Sequence, residues 1–248
     1  LLGKPLVLVN ADATLLLSNR ALLAVADRIA FGFDGDAARR TRNAVVTGNP
    51  VSAAIEALPA PPARFAGRSG PLRLLVVGGS LGAQGLNERV PGALARLPAV
   101  ARPQVVHQAG AKHIDALARA YRDAGVEAEC VAFIDDMASR YAWADFAIAR
   151  GGALTVSELA AVGLGSLIVP LPGAIADEQT ANAEFLVRAG GAIRIAQDAL
   201  GTERLASILS SLDRPKALAM ASAARAVGRT DASDRVADAC LEAAGRKS

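Results

Sequence analysis

Aromatic side chains are scarce here: six Phe, two Tyr and one Trp make up 4% of 248 residues. Nucleic-acid modules stack bases on such rings and cluster their cations, whereas 27 Lys and Arg against 24 Asp and Glu leave only +3. That class is excluded, and no more than a weak attraction to anionic surfaces remains. Cysteine and histidine are equally sparse. Cys130, Cys240, His107 and His113 stand apart from one another, so neither a zinc site nor a disulfide framework is written, and a reducing cytoplasm fits best. A Ser-His-Asp order and a nucleophile elbow are missing too, which removes covalent hydrolysis. The longest stretch without charge, Leu159 to Ala176, reaches membrane-spanning length, yet Gly163, Gly165, Pro170, Pro172 and Gly173 divide it into helix, turn, strand and loop. The chain opens directly on a strand-like run, with no initiator Met, basic n-region or cleavage signal. It reads as the later part of a longer protein.

What is present is core material: 52% apolar residues and 23 glycines at 21% charge. Residues 5–9 (PLVLV) read as a buried strand, 19–28 as a helix, 29–31 as a short strand and 45–46 as the end of another. The run 58–70 holds three prolines and two glycines with no apolar period, the composition of an interdomain linker. Beyond it, strands at 72–77, 103–107, 127–132, 145–149, 166–169 and 192–195 alternate with helices at 85–96, 112–123, after Asp135, 153–162 and 178–189. Continuous apolar strands alternating with helices predict an α/β fold with a parallel sheet covered on both faces. From Glu203 the chain is helical, with breaks near Pro215 and Thr230.

Three segments carry candidate chemistry. Gly78-Gly79-Ser80-Leu81-Gly82-Ala83 joins a strand to a helix, where backbone amides suit a phosphate or where glycine merely permits a tight turn. A nicotinamide site would place an acidic residue at the end of the second strand; His107 and Gln108 stand there. Arg150-Gly151-Gly152-Ala153-Leu154-Thr155-Val156-Ser157-Glu158 repeats the strand-to-helix arrangement. Thr155 and Glu158 share a helix face, so they can meet one ligand, but Thr-x-x-Glu is equally a capping-box spacing. Arg150 adds a cation at a strand end. Gln179 and Asn182 share a face of the next helix, as sugar-binding amides or as a solvated surface. Asp34-Gly35-Asp36 reads as a turn, and His107, ending an apolar strand, as a core residue.

Taken together, GGSLGAQGLN at 78–87, HQAG at 107–110, FIDDM at 133–137, YAWAD at 141–145, RGGALTVSELAAVGL at 150–164 and Gln179 with Asn182-Ala183 resemble the MurG family, the bacterial peptidoglycan N-acetylglucosaminyltransferases. VVTGNPV at 45–51 resembles that family's segment before its interdomain linker. The resemblance implies a GT-B fold: residues 1–58 as part of an acceptor-side N-terminal Rossmann-like domain, 59–70 as linker, and 71–248 as the UDP-sugar donor domain with its C-terminal helices. It implies transfer of N-acetylglucosamine from UDP-N-acetylglucosamine to lipid I, giving lipid II, at the cytoplasmic face of the inner membrane, with no cofactor or metal. By the same resemblance Ile134 holds the uracil edge and Glu158 the ribose. Ala153, Leu154, Thr155, Val156 and Ser157 present amides and hydroxyls to the diphosphate, and Ser80 and Gln179 contact phosphate or sugar. The family's His-Glu-Gln-Asn falls at Val9-Asn10-Ala11-Asp12, its Arg after Gly-Asn-Pro-Val at Ser52, and its His before Gln179 at Glu178, so the pattern names no general base. A donor-binding subunit of a two-chain transferase and a UDP-sugar epimerase of related fold are the alternatives.

Overall fold

The computed structural model describes residues 4–79, 83–173 and 177–245. Two parallel sheets organise it. The first contains β1 (Val7–Asn10), β2 (Arg28–Phe31) and β3 (Ala44–Val46) in the order β1-β2-β3. The second contains β4 (Arg73–Val77), β5 (Gln104–Gln108), β6 (Glu129–Val131), β7 (Phe146–Ala149), β8 (Ser166–Ile168) and β9 (Ala192–Arg194). Their spatial order is β6-β5-β4-β7-β8-β9, all parallel, so the order reverses between β4 and β7.

Alternation along these strands builds two cores. Leu74, Val76, Phe146, Ile148 and Leu167 face one side, where α5 (Gln84–Ala95), α6 (Ile114–Asp123) and α10 (Thr202–Ser210) pack. Leu75, Val77, Ala147, Ala149 and Ile168 face the other, beneath α7 (Met137–Trp143), α8 (Ala153–Val162) and α9 (Glu178–Arg188). Strands buried on both faces need apolar residues at every position, which is why their sequences show no period of two. Each fully buried Leu or Ile contributes about 1.5–3 kcal/mol.

Three expectations are corrected. The first helix, α1 (Leu17–Leu22), stops early because Asp27 accepts a hydrogen bond from Leu6 N–H at 2.8 Å and Arg28 already belongs to β2. The stretch read as linker carries a helix, α4 (Pro61–Phe65), begun by prolines whose missing N–H costs nothing at a helix start. Its Phe65 is buried against Ala217 and Ala221 of α11 (Arg214–Val227), and Arg64 donates to the carbonyls of Val162 and Gly163 that end α8. The third concerns the chain ends. The short helices α2 (Asp36–Arg39) and α3 (Ala53–Glu56) divide between the sheets, since Ile55 of α3 is buried in the second core. The last helix, α12 (Ala232–Gly245), returns to lie on β1 and β2.

Arg68 fixes the end of the connecting stretch. It pairs with Asp145, whose side chain is wholly buried, and donates to the carbonyls of Ala142 and Ala144. Asp145 also accepts from Arg73 N–H at 3.0 Å and from Arg214 at 3.2 Å, joining β4, β7 and α11. Breaking a buried pair leaves uncompensated charge and costs about 3–5 kcal/mol. Asp145→Asn is therefore expected to lower stability by about that amount, measured by urea denaturation. An unchanged midpoint would show that the ion cluster is not what holds this stretch down.

Candidate functional site

A reversal of strand order opens a crevice at the strands' carboxyl ends, because the helices that follow the two neighbouring strands leave on opposite faces. Here β4 runs into Gly78-Gly79 and β7 into Arg150-Gly151-Gly152. Gly79 has φ +82°, a conformation that favours glycine, and its carbonyl accepts from Gln108 Nε2 at 2.9 Å. Ser80 lies outside the described residues. Beside this turn is a cavity of about 150 Å³, lined in part by Gly79, Gln108, Ile134, Tyr141, Thr155 and Glu158.

The N-terminus of α8 enters the same crevice. Its N-cap is Gly152, with no side-chain cap, so Thr155 is the third helical residue and the capping-box reading of Thr155 and Glu158 fails. The amides of Ala153, Leu154 and Thr155 precede the hydrogen-bonded ladder and bond to no described residue, an arrangement that suits an anion at the positive end of the helix dipole. Two expected contributors are corrected. Val156 N–H is spent on the Gly152 carbonyl at 2.9 Å and its side chain is core. Ser157 is buried one residue further into the helix, and its hydroxyl accepts from Asn49 Nδ2 at 2.9 Å.

Glu158 lies three residues past Thr155 and is held by Tyr141, whose hydroxyl donates to its Oε2 at 2.8 Å. Burial raises the Glu158 pKa and the Tyr141 bond pulls it down in part. Tyr141 is fully buried, and its own pKa is pushed well up by burial first and by the Glu158 charge next, so it stays a donor. Ile134, just before α7, has a buried side chain, while its backbone N–H and C=O bond to no described residue. That pairing suits a planar heterocycle edge. The tight start of α7 is secured by Asp136, which accepts from Ser139 N–H at 3.0 Å.

Three other expected ligands turn out to hold the site together. Arg150 is buried and donates to the carbonyls of Val169 at 3.1 Å and Pro170 at 3.3 Å and to Gln197 Oε1 at 2.6 Å. Its donors pin β7 to the end of β8; burial, and then Arg89, lower its pKa. Gln179 accepts with Oε1 from Gly151 N–H at 3.2 Å and Leu171 N–H at 3.0 Å, so only its Nε2 end is left for a sugar. Asn182 is not solvated: it is wholly buried, accepts from Ala13 N–H at 2.7 Å, and donates to Asp12 Oδ1 at 2.9 Å and the Gly151 carbonyl at 3.1 Å. Gly151 cannot be replaced, since a Cβ there would collide with the backbone carbonyl of Gln179.

His107 is core, as its sequence position suggests. Burial drops its pKa to about 3, so the ring is neutral, with Nδ1 2.9 Å from the Tyr121 hydroxyl. Asp34 pairs with Arg39 on the surface, beside the start of α2. Sequence reasoning missed Tyr141, Gln108 and Asn49. Tyr141 was detectable in principle: the chain has only two tyrosines, and this one falls in the short helix that follows Ile134 beside the crevice.

A doubly wound sheet with this strand order, an uncapped helix N-terminus at its reversal and a second parallel sheet facing it define a GT-B glycosyltransferase half-site. Comparison with known proteins gives the family. The glycosyltransferase family 28 C-terminal domain matches residues 73–236. The chain is 57% identical to the UDP-N-acetylglucosamine--N-acetylmuramyl-(pentapeptide) pyrophosphoryl-undecaprenol N-acetylglucosamine transferase of Methylibium petroleiphilum, over 96% of this chain and 65% of that protein. It is 53% identical to the one from Chromobacterium violaceum, over 99% of this chain and 68% of that protein. The crystal structure of Acinetobacter baumannii MurG superposes with a TM-score of 0.85 at 34% identity, covering 97% of this chain and 67% of that one. The chain belongs to glycosyltransferase family 28, in its MurG branch. It spans about two thirds of the length of these relatives.

The state of Glu158 generates a stability prediction. A carboxyl whose folded pKa lies above its unfolded value binds more protons in the native state, so ionising it costs stability as pH rises through that window. Glu158→Gln removes the cost. The variant is expected to melt no lower than the native chain at pH 5 and to gain on it by pH 8, followed by thermal denaturation. A variant that melts lower at both values would make Glu158 a structural support after all.

Proposed function

We propose that the crevice binds UDP-N-acetylglucosamine and that the protein transfers N-acetylglucosamine to the muramyl unit of lipid I, forming lipid II. The observation that carries this reading is the pairing of three amides at the start of α8 that bond to no described residue with a carboxylate less than one helical turn further on, Glu158, already oriented by Tyr141. A nucleoside diphosphate has that order of groups: an anion for the helix end, then ribose hydroxyls that a carboxylate accepts from, then a base edge for the free backbone at Ile134. Ala153, Leu154 and Thr155 take the diphosphate, and Gln179 Nε2 reaches the sugar. The family membership supports the substrate, since the relatives are named for it.

The three-stranded sheet forms the acceptor side and the six-stranded sheet the donor side. Departure of UDP develops negative charge at the helix N-terminus, whose amides stabilise it without reorganising. Among the described residues no helix is long and apolar enough to cross a membrane. Peripheral contact at the cytoplasmic face is supported by exposed Leu17, Leu22 and Val25 beside the exposed cation of Arg20, because a lipid-linked acceptor stays in its bilayer.

Titration calorimetry tests the donor half. UDP is expected to bind in the presence of a chelator, and Glu158→Gln to weaken it by about 1.5–3 kcal/mol, the scale of a charged hydrogen bond. Loss of binding on removing magnesium would defeat the helix-terminus account. Epimerised UDP-sugar formed with no lipid acceptor would favour the epimerase reading instead.

A further inference from the structure

Glu158 and the hydroxyl that holds it come from different helices. Glu158 is on α8, whose first three amides bond to no described residue; Tyr141 is on α7, which follows closely on Ile134 and is capped by Asp136. Among the described residues the bond from Tyr141 to Glu158 is the one side-chain hydrogen bond that joins these two helices. Its two ends differ in surroundings. The tyrosine ring is fully buried in the second core, while Glu158 lines the cavity of about 150 Å³ beside the glycine turn.

Geometry then decides which carboxylate oxygen a ligand can meet. Oε2 accepts from the Tyr141 hydroxyl at 2.8 Å, whereas Oε1 has no hydrogen-bond partner among the described residues. Turning the carboxylate plane breaks that bond, and the packed ring cannot follow the movement. The same bond governs charge. Burial favours the protonated form of Glu158, and the hydroxyl, a donor to the ionised form, opposes it. Apart from these two, no described residue lining the cavity titrates, and Arg140, the cation of α7, is spent on Glu129 of β6.

Resting on the donor reading above, we propose that Tyr141 is the positioning residue for ribose recognition: it keeps one Glu158 oxygen inside the protein, presents the other, Oε1, to the sugar hydroxyls, and so makes the crevice select a ribonucleotide over a deoxyribonucleotide. A site built to accept from a hydroxyl rejects the analogue that lacks it, because the acceptor is left unpaired. Without the Tyr141 hydroxyl the carboxylate is free to turn and to take up a proton. It then donates as readily as it accepts, and the penalty on the deoxy analogue disappears.

Titration calorimetry with UDP, 2′-deoxy-UDP and 3′-deoxy-UDP tests this on the protein as its gene encodes it. The native protein is expected to bind at least one deoxy form about tenfold or more weaker than UDP. Tyr141→Phe keeps the ring and removes the donor; it is expected to weaken UDP until that ratio is about threefold or less, and Glu158→Gln to do the same. Combining the two substitutions costs no further selectivity, since both act through one bond. Whatever selectivity remains in Tyr141→Phe is lost, as pH falls, at a higher pH than in the native protein, because the hydroxyl no longer holds the proton off Glu158. The ratio between nucleotides cancels the titration of their shared diphosphate. If Tyr141→Phe does not fold, 3-fluorotyrosine replaces it as the probe: the chain has only Tyr121 and Tyr141, and fluorine makes the phenol a stronger donor, so the loss of selectivity moves to lower pH. Native selectivity in Tyr141→Phe, equal weakening of all three nucleotides, or a pH profile that stays in place overturns the assignment. A native protein that binds UDP and both deoxy forms alike overturns it too, and leaves the donor reading standing. No binding of UDP at all defeats the donor reading and this assignment with it.

Discussion

Strands β4 and β7 lie side by side and send their helices to opposite faces of the sheet. Everything at the site follows from the gap left between those departures. Neither β4 nor β7 can be covered at its carboxyl end by the helix it feeds, so backbone groups of both turns stay open. A glycine-rich turn on one side and an uncapped helix on the other are the two ways this chain lines that gap, and Glu158 is reached from α8 because the helix leaves the gap at the angle the sheet imposes. A strand order without a reversal would cover these amides and leave no crevice.

The polar groups around the gap divide into those left open to it and those spent on protein partners. Glu158 bears a cost of burial that its bond to Tyr141 relieves only in part, a pattern common among groups at ligand sites. Arg150 and Asn182 show the opposite character, with their donors used on carbonyls and side chains of the protein itself. The distinction is one of accounting: a buried amide or guanidinium must find partners during folding, and where those partners are protein groups the side chain has little left to offer a substrate.

Much of this was legible in the sequence, and the legible part has a common cause. From β4 to β9 the helices and strands fall within a few residues of expectation because apolar runs, glycine turns and helical periods are local signals. What escaped was set by distant partners. Arg150, Ser157 and Asn182 have the residue types of ligands, and nothing in their neighbourhood in sequence reveals Gln197, Asn49 or Asp12 as the groups they meet. The helix at 61–65 was hidden by prolines that break helices internally yet start them well, and the shortened α1 by Asp27, which closes the loop onto Leu6. The resemblance to a family singled out the two turns that line the crevice, but the partners of each side chain there came from geometry.

Because Arg64 and Arg68 fasten the connecting stretch to the donor half, that stretch is not a slack tether. Among the described elements the chain leaves one sheet's layer for the other's at two places, between β3 and α3 and between α11 and α12. Those passages touch: Gly48, with φ +81°, sits so close to Arg229 and Ala232 that a Cβ on it would press 2.8 Å from the arginine's Cδ. Two neighbouring passages act like the knuckles of a door hinge, admitting rotation about the line through them and resisting twist or translation. A space of about 310 Å³ beside this line, bordered by Gly48, Asn49 and Arg229, gives the rotation somewhere to go. A rotation about that line would change the width of the cleft while keeping the two walls in register, so that whatever is carried on one wall would meet the same part of the other.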